Sequence, residues 1–237
     1  MTMLWALVPV KDIVHSKQRL ARILDPHERQ GLVLAMLRDV LGAIRGVEEF
    51  DGVLLVSRSQ EAQELFRDFV TDIFVESAGS DHSRAVIEGN RYLKDRYRVG
   101  CSMAISGDIP RVTSDDIRQI IMQHDRVTLA PNASGEGTNA VLTSPPNLIQ
   151  CQFGGSSLER HIASADAAGF TAQIVRCENI GHDIDNPGDL ERAIIELGPS
   201  HTGDFLQSNG IAARLNHRGA GQATGLEQVR STASRWT

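Results

Sequence analysis

Short apolar runs that stop abruptly, separated by stretches of helical periodicity, constrain this chain more than any other feature. Leu4 to Val8, Gly52 to Val56, Asp72 to Val75, Met103 to Ile105, Val127 to Pro131 and Ala172 to Arg176 are runs of this kind. Between them, Leu32, Met36, Val40 and Ile44 recur at helical spacing behind Pro26, and Glu61 to Phe69, Arg84 to Leu93, Ile117 to His124 and Leu158 to Ala168 supply further helices. Apolar strands alternating with helices imply an α/β fold: a mostly parallel sheet, helices on both faces, right-handed crossovers. A chain of 237 residues can build this around one core. The alternation stops at Pro199, so residues 1–198 are expected to form the domain and 199–237 a flexible tail.

Charge narrows the partners. A formal net charge of -6 and a pI near 5.7 argue against a nucleic-acid or anionic-membrane binder, both of which need a basic footprint. Cys101, Cys151 and Cys177 lie far apart, with neither a C-x-x-C pair nor a His at zinc spacing. They are expected to be buried thiols in a reducing cytoplasm. The opening residues to Val10 are too short and too poor in basic flanks for a signal peptide or membrane span, and suit a first strand.

The chemistry concentrates where strands end. Ser106-Gly107-Asp108-Ile109-Pro110 follows Met103-Ala104-Ile105, so a buried parallel strand would deliver the Asp108 carboxylate at its carboxyl end, where α/β sheets bind ligands. Asp108 there suits Mg²⁺ beside a phosphate; the alternative is an Asp that ends a strand and starts a turn. Further on, an extended His182 to Asp185 puts Asp183 and Asp185 on one face with Ile184 buried opposite. Like charges so spaced repel unless a cation lies between them, which makes this pair the candidate second half of the metal site. Asp189 instead fits a helix cap with Asn186 and Pro187, and Asp115 and Asp116 fit another behind Thr113.

No Gly-rich turn follows the first strand, so the Walker and dinucleotide fingerprints are absent. Lys11, Lys17, Arg19 and Arg22 crowd that loop instead. Lys11 and Lys17 are expected to contact phosphate, while Arg22 suits a solvated helix face. In the loop 132–139, Thr138 and Asn139 could donate to a carboxylate or phosphate, or serve turn chemistry alone. Gly154-Gly155-Ser156-Ser157 opens a helix with free amides and hydroxyls, a ready place for a second anion. Asp81 or Ser83 would cap the helix that follows them, and His82 receives no metal assignment.

Taken in order, Pro-Val-Lys (9–11), Ser-Lys-x-Arg-Leu (16–20), Gly-Asp-Ile-Pro (107–110), Gly-Thr-Asn-Ala (137–140), Phe-Gly-x-x-Ser (153–157) and Asp-Ile-Asp-x-Pro-x-Asp-Leu (183–190) resemble the CofC-type guanylyltransferases of coenzyme F-420 biosynthesis. The resemblance spans roughly Leu4 to Leu197. It implies a glycosyltransferase-A-like nucleotidyltransferase fold, a Mg²⁺ requirement, and transfer of GMP from GTP onto a small phosphorylated acid with release of pyrophosphate. Acceptors in such a family include 2-phospho-L-lactate, phosphoenolpyruvate and 3-phospho-D-glycerate. The matching motifs imply that Thr138, Gly154 and Ser157 bind the acceptor, with Asn139 beside them. They imply Asp108 with Asp183 or Asp185 as metal ligands, and Lys11, Lys17 and Arg19 on the triphosphate side. The chain departs from the family at Asp81-His82-Ser83, where Gly-Leu-Asn is usual, a change that bears on acceptor identity. A nucleotidyltransferase for a sugar phosphate or molybdopterin fits the fold but not the acceptor motifs. A non-catalytic GTP-binding module would be expected to have lost the acids. Assembly as a homodimer is left open.

Overall fold

The computed structural model describes residues 2–11 and 13–215. In chain order the elements are β1 (Leu4–Val10), α1 (Pro26–Arg45), β2 (Gly52–Ser57), α2 (Gln60–Phe66), β3 (Asp72–Phe74), α3 (His82–Tyr97), β4 (Cys101–Ile105), α4 (Ser114–Met122), β5 (Val127–Pro131), β6 (Thr138–Thr143), α5 (Ser157–Ala167), β7 (Gln173–Ile174), α6 (Glu178–Gly181), α7 (Pro187–Glu196) and α8 (His201–Ser208). The described strands form one seven-stranded sheet in the order β3-β2-β1-β4-β6-β5-β7. β1 pairs parallel with β2 and β4, β2 with β3, and β5 with β7. β6 departs from the strict alternation, running antiparallel to both β4 and β5. The polar loop after Pro131 turns the chain back as a hairpin, so no crossover helix intervenes and the sheet is mixed at that point.

Alternation along β1 explains why both faces are covered. Ala6, Val8 and Val10 enter an apolar layer with α1, α2 and α4, while Trp5 and Leu7 enter a second layer with α3 and α5. The strand continues through Pro9 to Val10, two residues past the apolar run ending at Val8. Pairing with β4 ends at Leu7, so Pro9 lies beyond that ladder, where its missing N–H is tolerated. None of the described helices is long and apolar enough to cross a membrane.

α1 begins with a capping box in which Asp25 accepts from Glu28 N and Glu28 accepts from Asp25 N, with Pro26 in the first turn. It buries two sides. Leu37, Val40, Leu41 and Ile44 pack on the sheet, while Leu32 and Met36 join a third cluster with Ile184, Leu190, Ala193, Leu206, Ile211 and Leu215. This cluster corrects the expectation of a flexible tail beginning at Pro199. Ser200 caps α8 by accepting from Gly203 N, and Asp39 of α1 accepts from the N–H groups of His201 and Thr202 and from the Thr202 hydroxyl. Gly31 gives Phe205 room against α1, since a Cβ there would strike its ring. The stretch looks loose in sequence because Leu206, Ile211 and Leu215 stand isolated among polar residues; α1's second apolar side supplies their burial. Residues 216–237 of the expected tail lie outside the described residues.

Leu206 is 1% exposed, so Leu206→Ala is expected to cost about 2–5 kcal/mol in urea or guanidinium unfolding. Ending the chain after Gly198 should lower the midpoint further, and an unchanged midpoint in both variants would contradict this packing.

Candidate active site

The site is assembled by hydrogen bonds at the carboxyl ends of the central strands. Ser106, just past β4, donates its N–H to the Asn139 carbonyl of β6 at 2.8 Å, and Ile184 donates its N–H to the Asp108 carbonyl at 3.1 Å. The second bond docks the extended segment 182–185 against the exit of β4. Ile184 is buried in the third apolar cluster, so alternation turns Asp183 and Asp185 the other way. Both reach a cavity of about 470 Å³ whose lining includes Asp108, Arg19, Thr138, Gly154 and Ser157. A neighbouring cavity of about 220 Å³ is lined by Pro9, Val10, Lys11 and Lys17, and shares Asp108, Asp185 and His82 with the first.

Lys17 bridges the acids. Its Nζ donates to Asp108 Oδ2 and to Asp185 Oδ1, each at 2.6 Å, and the side chain is 8% exposed. The backbone of Lys17 is left-handed (φ 51°) where it enters a short 3-10 turn, Gln18–Leu20, anchored by buried Leu20. Burial opposes the ammonium charge, yet the two carboxylates hold its pKa above the usual lysine range. Burial likewise pushes Asp108 up, but Lys17 outweighs it and keeps this carboxyl below its usual range. Asp183 goes the other way: burial, then repulsion from Asp108 and Asp185, raise it despite a hydrogen bond from Asn139. With all three acids ionised, Lys17 and Arg19 bring two positive charges to three negative ones. Carboxylate oxygens carrying that surplus fit a hard divalent cation that takes its remaining ligands from phosphate. Asp108, Asp183 and Asp185 line the same cavity, but among the described residues no three acid, His or Cys side chains stand close enough together to hold a metal as they are placed.

The other expected positions fall around the same cavities. Lys11 is exposed on the rim of the smaller one, and Arg19 places a guanidinium nitrogen 4.0 Å from Asp185 Oδ2. Asn139 lines the larger cavity, and its amide is engaged by the protein. It donates to the Ile180 carbonyl at 2.7 Å and to Asp183 Oδ1 at 3.3 Å, so its amide hydrogens serve the loop that carries Asp183. Gly154 adopts φ 107°, a conformation that strains any side-chain-bearing residue. At the start of α5 the amides of Ser157 and Leu158 are taken by the carbonyls of Gly154 and Glu136, which leaves fewer free donors than the Gly-Gly-Ser-Ser run suggests. Ser157 Oγ lies 3.4 Å from Thr138 Oγ1.

A family model described as "Guanylyl transferase CofC like" matches residues 4–227. The chain belongs to this family. Phosphoenolpyruvate guanylyltransferase of Roseiflexus castenholzii is 35% identical over 84% of this chain and 90% of its own length. That of Sphaerobacter thermophilus is 32% identical over 78% and 90%, and 2-phospho-L-lactate guanylyltransferase of a Methanocaldococcus species is 28% identical over 91% and 92%. Among solved structures, a nucleotidyl transferase from Methanothermobacter thermautotroptrophicus superposes with a TM-score of 0.61 at 15% identity, covering 87% of this chain and 99% of that one. A Desulfovibrio desulfuricans structure titled as a nucleotide-diphospho-sugar transferase gives 0.72 at 14%, covering 91% and 99%. These likenesses establish a nucleotidyltransferase fold for the CofC-like chain.

Two histidines of the CofC-like site were not singled out as functional in the sequence. In the unusual Asp81-His82-Ser83 triplet, Asp81 caps α3 by accepting from Arg84 N at 2.7 Å, and Ser83 Oγ accepts from Phe153 N at 2.8 Å. Only His82 of the three lines both cavities, its ring edge-on to Phe153 at 4.6 Å between centroids. His161 is wholly buried on α5, one turn after Ser157, and the i, i+4 spacing on a helix that begins at a motif serine is the pattern that could have revealed it.

Burial pushes the His161 imidazole down from 6.5 to about 4. Below about pH 6.5 the unfolded chain gains a proton that the folded chain refuses, so stability should fall as pH drops towards about 4. Urea midpoints taken from pH 7 to 4 are expected to show this fall, less steeply in His161→Asn. Identical slopes in both proteins would contradict it.

Proposed function

We propose that the protein moves GMP from GTP onto the phosphate of a three-carbon phospho-acid, releasing pyrophosphate, as a Mg²⁺-dependent enzyme. The observation that carries this reading is the convergence of Asp108, Asp183 and Asp185, from two remote segments, on one cavity beside Lys17. Relatives named for phosphoenolpyruvate, at 32–35% identity, favour that acceptor over 2-phospho-L-lactate, whose named relative above is 28% identical. 3-Phospho-D-glycerate is the third candidate.

The acceptor needs no general base. A phosphate monoester with a second pKa of about 6 is largely dianionic near neutral pH, and its oxygen can attack the α-phosphorus of GTP directly. One P–O bond forms to the acceptor, the α–β bridging bond breaks, and pyrophosphate leaves with the electron pair. The barrier is repulsion between anions, so charge neutralisation and in-line positioning are what the protein supplies. Asp108, Asp183 and Asp185 would hold Mg²⁺, which contributes Lewis-acid stabilisation of charge on the reacting phosphates. Lys11, Lys17 and Arg19 add positive charge on the triphosphate side. Thr138, Gly154 and Ser157 bind the acceptor across the larger cavity, bringing the two phosphates into line.

Pyrophosphate release with GTP and Mg²⁺ should be seen with at least one of the three acceptors assayed in parallel, and not with CTP or ATP. EDTA should abolish it, and added Mg²⁺ should restore it. Asp108→Asn is expected to lower turnover by about 10³-fold or more with circular dichroism unchanged. Near-normal GMP transfer by that variant would defeat the assignment.

A further inference from the structure

We infer that His161 is a positioning residue for the acceptor, fixing the Thr138 hydroxyl so that its proton points into the larger cavity as a donor to an oxyanion of the phospho-acid. The inference rests on the proposed placement of the acceptor at Thr138.

The proton bookkeeping starts at a backbone amide. Gln152 N–H donates to His161 Nε2 at 2.9 Å, and an amide N–H can only donate, so Nε2 carries the lone pair. The neutral imidazole must then hold its proton on Nδ1, which lies 3.1 Å from Thr138 Oγ1 and donates to it. Ser157 Oγ lies 3.4 Å from the same oxygen. With Nδ1–H occupying one lone pair, the Thr138 proton is turned away from His161, and among the described residues the only acceptor within reach is the long, uncharged contact to Ser157 Oγ. Thr138 lines the cavity, so a bound carboxylate or phosphate is the acceptor that completes the set. Such a charge-assisted bond is stronger than one between neutral groups.

Two features keep the arrangement in place. Burial holds the imidazole neutral at ordinary pH, whereas a protonated ring would lose its acceptor for Gln152. Phe153 packs edge-on against the ring, with centroids 5.0 Å apart, and limits its rotation. An imidazole free to flip would let Thr138 turn its proton towards the protein.

The test compares two amides that mimic different ring nitrogens. In His161→Asn the shorter side chain can still donate to Thr138, whereas in His161→Gln the longer one reaches the Gln152 amide and leaves Thr138 without a donor. With GTP saturating, H161Q should raise the KM for the phospho-acid about ten-fold, while the KM for GTP and kcat change less than about two-fold. H161N should stay within about three-fold of wild type on all three parameters. On a Thr138→Val background, H161Q should add less than about two-fold, because the hydroxyl it positions is gone. Equal rises in both KM values, H161N impaired more than H161Q, or the full H161Q effect persisting in T138V would overturn the inference. A T138V enzyme with unchanged acceptor KM would instead defeat the placement of the acceptor itself.

Discussion

One ammonium group between two carboxylates organises this protein's candidate site. Lys17 Nζ meets Asp108 and Asp185 at 2.6 Å each, joining the loop after the first strand, the exit of a central strand and a segment near the far end of the folded chain. Removing charges from water is costly, and only close pairing offsets it. The pairing is incomplete, because among the described residues Asp183 shares the cavity without an ion-pair partner of its own. Three carboxylates and the cations Lys11, Lys17 and Arg19 therefore share the end of the sheet, where a substrate that is itself an anion must bind.

The apolar packing below serves this charge geometry. Ile184 lies between Asp183 and Asp185 and is held in the cluster formed by α1, α7 and α8, so the direction of both acids depends on burial of the residue between them. Leu206 of α8, remote from the cavities in sequence, belongs to the same cluster as Ile184. On the acceptor side, α5 does comparable work: its first residue, Ser157, meets Thr138, and its next turn brings His161 to the same hydroxyl.

Much of this was legible in the sequence, and the limits have physical causes. Continuous apolar runs located the parallel strands because burial on both faces leaves little room for polar residues. Alternation placed Asp183 and Asp185 together because strand periodicity is local, and Gly-Asp after an apolar run placed Asp108 at a strand end. Interactions depending on long-range approach were hidden. The partners of Lys17 follow from a left-handed turn and from contacts 91 and 168 residues away. The engagement of the Asn139 amide was hidden as well, because nothing local reveals that Ile180 and Asp183 come within its reach. The residues after Pro199 looked unable to repay ordering because the surface that buries them belongs to α1.

We propose that Asp108, Asp183 and Asp185 draw together around a divalent cation when nucleotide binds, with Lys17 moving from Asp108 and Asp185 to the triphosphate. Anomalous diffraction from crystals grown with Mn²⁺ and a non-hydrolysable GTP analogue tests it directly. The account predicts a manganese peak bound by Asp108 and at least one of the other two acids, with Lys17 Nζ moved off the carboxylates towards the triphosphate. Nucleotide bound with manganese elsewhere, and Lys17 still bridging Asp108 and Asp185, would contradict it.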